Sequence, residues 1–382
     1  MSREIRIGLV GYKFMGKAHS NGWGQAARFF STKARPVFKA VCGRHEAEVK
    51  EFSRNWGFES YETDWRKLIE RPDIDLVDIA TPNSLHAEIA IAAAQAGKAV
   101  FSEKPLALNV AQAEKMVQAV EKNKVFHGVC FNYRRVPALS LAKKIIAEGK
   151  LGRIYHIRAV YLQSWVMDPK FPLAWRLQKD QAGSGALGDL ASHLIDLARY
   201  LVGEFVEVSG HSETFIKERP VSASGGGLSG QAGAKKEKVT VDDATIFLAR
   251  FACGALGTFE ASRFAPGRKN YNCLEINGEK GSLCFNLEQL NELEYYDATV
   301  PTETAGFSTI SATESAHPYF SAWWPHGHII GYEHTFTHTF FDLINAWADG
   351  KRFSPDFYDG LACQKVLSAV EESSVKRVWV GV

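Results

Sequence analysis

At 382 residues the chain exceeds what one ordinary core holds, so two domains are expected. Its 45 basic and 43 acidic residues leave a charge of +2, which excludes the electrostatic footprint of a nucleic-acid or anionic-membrane partner. Six scattered cysteines without a C-x-x-C, no membrane-length apolar run and no leader before the first strand predict a cytoplasmic protein with reduced, buried thiols.

IRIGLV (5–10) reads as a first β-strand, followed by a helix through Ser20 and Asn21. VFKAVC (37–42) is a second strand, and a charged helical stretch runs from Glu46 to Trp56. DLVDIA (75–80) and KAVFSE (98–103) are further strands, separated by the helix HAEIAIAAAQAGK, which Gly97 closes. VFHGVCF (125–131) ends the series. Short apolar strands alternating with helices predict an α/β domain over 1–133 built on a parallel, doubly wound sheet. Ligands of such sheets bind at the carboxyl ends of the strands. Four segments follow strands and are therefore expected to converge: Gly11–Gly16, Thr81–His86 (with Pro82 and Asn83), Glu103–Pro105 and Asn132–Arg135.

From about Leu151 the pattern becomes β-rich and partly alternating, as in RIYHIRAVYLQSW and ATIFLARFACGALGTFEASRF. This predicts a second domain, 134–382, with an antiparallel sheet packed on one face. A helix is expected from Gly188 to Leu201. Residues 222–238, SASGGGLSGQAGAKKEK, read as a mobile surface loop. Helices over Glu333–Asp349 and Asp359–Lys376 close the chain.

GLVGYKFMGKAHS (8–20) approximates the dinucleotide turn G-x-G-x-x-G, with Lys13 in place of the middle glycine. Gly11 keeps the tight-turn role and Gly16 the close helix–strand packing. Lys13, Phe14 and Met15 between them would lie against phosphates held by free N–H groups at the helix start. After the second strand comes Gly43-Arg44, with no carboxylate to repel a 2′-phosphate and a guanidinium able to pair with one. The expectation is NAD(P), leaning to NADP or dual use.

Lys104 follows a buried strand at the ligand-binding edge, its backbone direction restricted by Pro105. In GSGALGDLASHLIDLARYLVG (183–203), a regular helix brings Asp189, His193 and Asp196 into one arc beside an apolar stripe of Leu190, Leu194, Leu197 and Leu201. Imidazole is a natural proton acceptor for a hydroxyl, and a carboxylate one turn away can orient it. Spacing alone fits somewhat better a buried His–Asp hydrogen bond that holds the helix.

These segments, with TPNSLHAEIAIAAAQAGKAVFSEKPLA and FNYRR, occur in an order that resembles the Gfo/Idh/MocA family of NAD(P)-dependent oxidoreductases. The resemblance implies a Rossmann-type domain and an α/β domain whose large open sheet supports a homodimer or homotetramer. It implies catalytic roles for Lys104, Asp189 and His193. His193 would take a proton from a secondary hydroxyl, Lys104 would stabilise the oxyanion, and Asp189 would orient substrate or imidazole. Thr81, Pro82, Asn83, His86, Glu103 and Asn132 fall where relatives line the cofactor. Lys13 and Gly43, which replaces the acid of NAD-preferring relatives, depart from the pattern. The implied substrate is a cyclic sugar or polyol: a pyranose, anhydrosugar, glycoside or inositol. Aromatic faces and planar donors suited to such rings are offered by Tyr133, Arg134, Trp165, Trp175, Arg176 and Tyr332. The histidine-rich stretch 317–340 reads as a lid or subunit contact, and no metal is expected. The alternative, a dinucleotide-binding regulatory protein without turnover, would be expected to lack the lysine or the histidine.

Overall fold

The apolar run at the start forms β1 (Glu4–Val10), buried from Ile7 onward as a central strand of a parallel sheet must be. There follow α1 (Phe14–Phe29), β2 (Arg35–Cys42), α2 (Glu46–Trp56), β3 (Ser60–Glu62), α3 (Trp65–Glu70) and β4 (Leu76–Ile79). Next come α4 (His86–Gln95), β5 (Ala99–Glu103), α5 (Val110–Asn123) and β6 (His127–Cys130). The structure, a computed structural model, describes residues 3–224 and 231–382. The six strands pair in parallel in the order β3-β2-β1-β4-β5-β6. Strand order reverses between β1 and β4, the switch point at which such sheets bind ligands.

The chain continues through α6 (Pro137–Ala147), β7 (Ile154–Leu162), α7 (Lys179–Ala182) and α8 (Ser192–Leu201). The strands β8 (Phe205–Glu213), β9 (Glu218–Ser224), β10 (Gln231–Lys238), β11 (Ala244–Phe251) and β12 (Leu256–Ser262) follow. After β13 (Tyr271–Gly278), β14 (Gly281–Asn286), β15 (Glu292–Asp297) and β16 (Ser308–Ser311) come α9 (Tyr332–Asp349), α10 (Phe357–Lys376) and β17 (Val380–Gly381). Nine of these strands form one sheet, β16-β15-β14-β13-β7-β12-β11-β8-β17, antiparallel except where β7 meets β12. The expected fold, a Rossmann-type sheet plus a large, mainly antiparallel one, is what the chain forms.

Two expectations need correction. The stretch 222–238 is, in its described part, not a loop but half of an antiparallel β9–β10 ribbon, paired from Glu218↔Lys238 to Gln231↔Ser224. Its charged residues 235–238 stay exposed, while the partner strand buries Arg219. Residues 225–230 lie outside the described residues. Nor are all cysteines buried: Cys253 is exposed, and Cys273 and Cys284 are half-buried on the outward-facing positions of β13 and β14.

Two compact units result: Met1–Arg135 with Gly331–Ala362, and Val136–Ile330 with Cys363–Val382. In the first, α9 returns to pack on α1, because its face from Thr335 to Ile344 is apolar enough to need cover. Phe340 stacks on Trp23 with centroids 4.2 Å apart, and Phe341 on Phe30 at 4.5 Å. In the second, α6 and α8 pack on the large sheet, and the leucines 190, 194, 197 and 201 are buried as their spacing predicts. No helix among the described residues is long and apolar enough to cross a membrane.

Gly22 marks the closest approach of α1 and α9: a Cβ there would lie 2.7 Å from Phe340 Cδ2 and 2.9 Å from Phe336 Cβ. Gly22→Ala is expected to destabilise the first unit by about 1–3 kcal/mol through overpacking, read as a lower thermal midpoint.

Candidate active site

In the first unit, the turn between β1 and α1 is held so tightly that glycine is required twice. Gly11 has φ +106°, and a Cβ on it would meet Ala80 O at 2.4 Å. A Cβ on Gly16 would meet Gly11 O at 2.2 Å. Lys13, in contrast, has a negative φ of −78°, so the middle position does not call for the left-handed backbone that favours glycine. Its ammonium pairs with Glu48 on α2, which also accepts from the Tyr12 hydroxyl at 2.9 Å. The Tyr12 ring lies where a side chain on residue 43 would go: a Cβ on Gly43 would come within 2.0 Å of it. Tyr12 therefore excludes a carboxylate from that position. Arg44 is exposed at the end of β2.

The N-terminus of α1 carries no side-chain cap, which leaves its first amides open to an anion. At the end of β4, the buried Thr81 hydroxyl has no protein partner. Together with the glycine cradle, these orphan groups fit a dinucleotide. Pro82 and Asn83 are half-buried beside Thr81.

Other expected cofactor residues turn inward. His86 is fully buried, its nitrogens 2.9 Å from Pro105 O and 3.0 Å from Thr81 O, so it ties two strand-end loops together. Burial also pushes its pKa below the ordinary value. Glu103 is buried as well, and its Oε1 lies 2.9 Å from His19 Nε2. His19 Nδ1 lies 2.9 and 3.0 Å from the two oxygens of Asp78, which also accepts from Trp23 Nε1 at 2.8 Å. Both ring nitrogens face carboxylates, so both donate and the ring is an imidazolium. Burial alone would lower the His19 pKa, but Asp78, with the Cys130 thiol beside it, carries it well above its usual value. Glu103 Oε2 then accepts the backbone N–H of Lys104 at 3.0 Å, which anchors the half-buried lysine at the end of β5. Sequence reasoning missed His19 and Asp78; a lone aspartate in the buried strand LVDI was the available signal.

Asn132 donates to Thr335 Oγ1 at 2.8 Å, and Arg134 reaches Ser354 Oγ at 3.2 Å and Asp359 at 3.3 Å. Both are buried. Tyr332 faces Tyr133 edge-on at 6.4 Å and stacks with the exposed Phe14 at 6.5 Å, while Met15 packs toward the core. His334 caps α9 by accepting the Gly331 N–H at 3.0 Å. His338 lies 2.9 Å from Arg135 O, its pKa pushed down by burial to about 3. Among the described residues, one group has metal-ligand spacing, His19, Glu103 and Cys130, and its histidine already serves two carboxylates.

In the second unit, residues Leu187–Ala191 form a π-helical turn ahead of α8. Asp242 sets its start, accepting Gly185 N–H at 2.6 Å and Leu187 N–H at 2.7 Å. Asp189 is half-buried on this turn and pairs with Arg263 at 2.8 Å. His193 and Asp196 are buried on α8, with the His193 ring 6.0 Å from that of Tyr161. Trp165 donates to Gln163 at 2.8 Å, and the Arg176 guanidinium lies over the Trp175 ring at 4.3 Å. The second unit holds Trp165, Trp175, Arg176, Asp189 and His193, while Arg134 and Tyr332, expected in the 134–382 domain with them, belong to the first; a π turn stands at Asp189 where a regular helix was expected.

A glycine turn at the switch point of a parallel sheet, with open helix amides, defines a dinucleotide-binding domain. Two family models match, an oxidoreductase family with an NAD-binding Rossmann fold over residues 5–131 and the GFO/IDH/MocA C-terminal domain over 139–284. The chain belongs to the GFO/IDH/MocA oxidoreductases and is an NAD(P)-dependent enzyme. It is 46% identical to levoglucosan dehydrogenase of Pseudarthrobacter phenanthrenivorans, covering 100% of this chain and 98% of that one. A levoglucosan dehydrogenase structure in complex with NADH superposes with TM-score 0.95 at 46% identity, covering 100% of this chain and 99% of that one. An oxidoreductase domain protein from Kribbella flavida, at 52% identity and the same coverage, also gives 0.95. Myo-inositol 2-dehydrogenase of Thermotoga maritima is 28% identical over 73% of this chain and 74% of its own length.

Replacing His19 with Gln leaves two buried carboxylates without their cation, at a cost of about 3–5 kcal/mol. Folding raises the His19 pKa from 6.5, so its contribution is complete below that pH and is lost as pH rises through the folded-state value. In urea unfolding, the wild-type advantage over His19→Gln is therefore expected to shrink as pH climbs above neutrality. A constant advantage would mean that the ring is neutral.

Proposed function

We propose that the enzyme oxidises a secondary hydroxyl of a cyclic sugar or polyol, with an anhydrosugar such as levoglucosan the first candidate. The observation that carries this reading is the end-to-end similarity to levoglucosan dehydrogenase, solved with NADH and levoglucosan. Bound NAD(P) supplies the hydride acceptor. His193 takes the hydroxyl proton, and the Lys104 ammonium offsets the charge that develops on the oxygen. Asp189 holds a neighbouring hydroxyl or the imidazole in place. Trp165, Trp175 and Arg176 in one unit, and Tyr133, Arg134 and Tyr332 in the other, are the candidates for the sugar's faces and hydroxyls. Retention of both the lysine and the histidine disfavours the regulatory alternative.

At the cofactor's ribose end, Tyr12 leaves no room for a carboxylate on residue 43, and Lys13 is engaged by Glu48. Recognition of a 2′-phosphate then falls to Arg44, and we read the enzyme as using NADP or both cofactors. We also propose self-association, as a dimer or tetramer, through the outer face of the large sheet, where Ile246, Leu248 and Leu256 stand exposed on the neighbouring strands β11 and β12.

A panel of anhydrosugars, pyranoses, glycosides and inositols, run with NAD and with NADP, tests the substrate class by absorbance of the reduced nicotinamide. His193→Ala is expected to lose roughly 10²–10⁴ in turnover with NADH binding retained. Unchanged turnover removes the assignment. Arg44→Ala is expected to shift preference toward NAD; an unmoved ratio of kcat/KM values denies Arg44 that role.

A further inference from the structure

Arg263 follows β12, where the chain leaves the large sheet, and its side chain is only 1% exposed. Nη2 donates to Asp189 Oδ2 at 2.8 Å, Nη1 lies 3.4 Å from the carbonyl of Arg176, and the guanidinium sits 5.4 Å from the Trp165 ring centroid. Its backbone is fixed as well: the N–H donates to Asp243 O at 3.0 Å. Asp243 is itself buried, its carboxylate held by the amides of Phe215 and Ile216 at 2.8 and 3.1 Å. The buried Nε–H has no partner.

Burying a guanidinium, with one N–H unmatched, is costly. The pair formed here is asymmetric, with the cation inside and the Asp189 side chain 29% exposed. An interior charge is thereby spent on fixing the direction of an outward carboxylate. The same planar group refers the Arg176 carbonyl and the Trp165 ring to that carboxylate. An ammonium could not serve all three, since it lacks the fork and the stacking plane.

We propose that Arg263 is a positioning residue: it acts through Asp189, aiming that carboxylate at the substrate. This rests on the reading that Asp189 contacts the substrate. The test is a double-mutant cycle of wild type, Arg263→Gln, Asp189→Asn and the double variant, with kcat and KM for the best panel substrate and the Kd of NADH measured separately. Arg263→Gln is expected to lower kcat/KM by about 10–100-fold, the size of a lost charge-assisted hydrogen bond, with the NADH Kd unchanged within about twofold. Arg263→Lys should recover part of the loss. The double variant should be no worse than Asp189→Asn, because one residue acts through the other. Losses that multiply, or full activity in Arg263→Gln while Asp189→Asn is impaired, overturn the proposal and leave the functional reading standing. Full activity in Asp189→Asn removes the reading itself. If Arg263→Gln does not fold, the cycle is run with Arg263→Lys, and the same non-additivity decides.

Discussion

A charged group stays ionised inside a protein only when an opposite charge or several hydrogen-bond partners accompany it, and this constraint shapes both units. In the first, His19 joins Asp78 to Glu103, and the second oxygen of Glu103 fixes the backbone of Lys104. In the second, Arg263 joins Asp189 to the loop carrying Trp165 and Arg176. Each cation lies beneath a residue assigned to the chemistry. The interior electrostatics therefore act less as a stability reserve than as scaffolding, consistent with buried ion pairs being weak contributors to net stability.

The cofactor end is governed by a different constraint, close backbone approach. Gly11 and Gly16 are excluded from carrying side chains by carbonyl oxygens, a penalty that no repacking relieves. Lys13 meets no such barrier, so departure from the glycine pattern at that position leaves the turn intact. Gly43 is different again: the atoms that crowd it belong to the Tyr12 ring, which is itself tethered to Glu48. The two departures are thus one local solution, in which Tyr12 and Lys13 both lean on α2.

The sequence revealed most of the architecture because parallel-sheet strands and their helices carry strong, separable patterns. The strand-end segments at Gly11, Thr81, Lys104 and Asn132 were recognisable for the same reason. What stayed hidden was long-range. Nothing local says that α9, some 200 residues after β6, closes over α1, or that Asp78 and His19 meet. Arg263 and Asp242 were invisible because their roles come from pairing with residues more than 50 positions away. The β9–β10 ribbon was misread because a stretch rich in glycine and lysine has the composition of a loop.

The π turn shows how these long-range contacts alter what periodicity predicts. On a regular helix, Asp189 and His193 would differ by about 40° and share a face. Asp242 pins the amides of Gly185 and Leu187, and Gly185 is obligatory there, since a Cβ would fall 1.7 Å from Asp242 O. The turn after it, Leu187–Ala191, is π-helical, so the regular 100° step does not hold at Asp189. Arg263 meets the Asp189 carboxylate, while His193 lies on α8 among the buried leucines. The imidazole is thus held by the helix and the carboxylate by a residue that follows a strand of the large sheet.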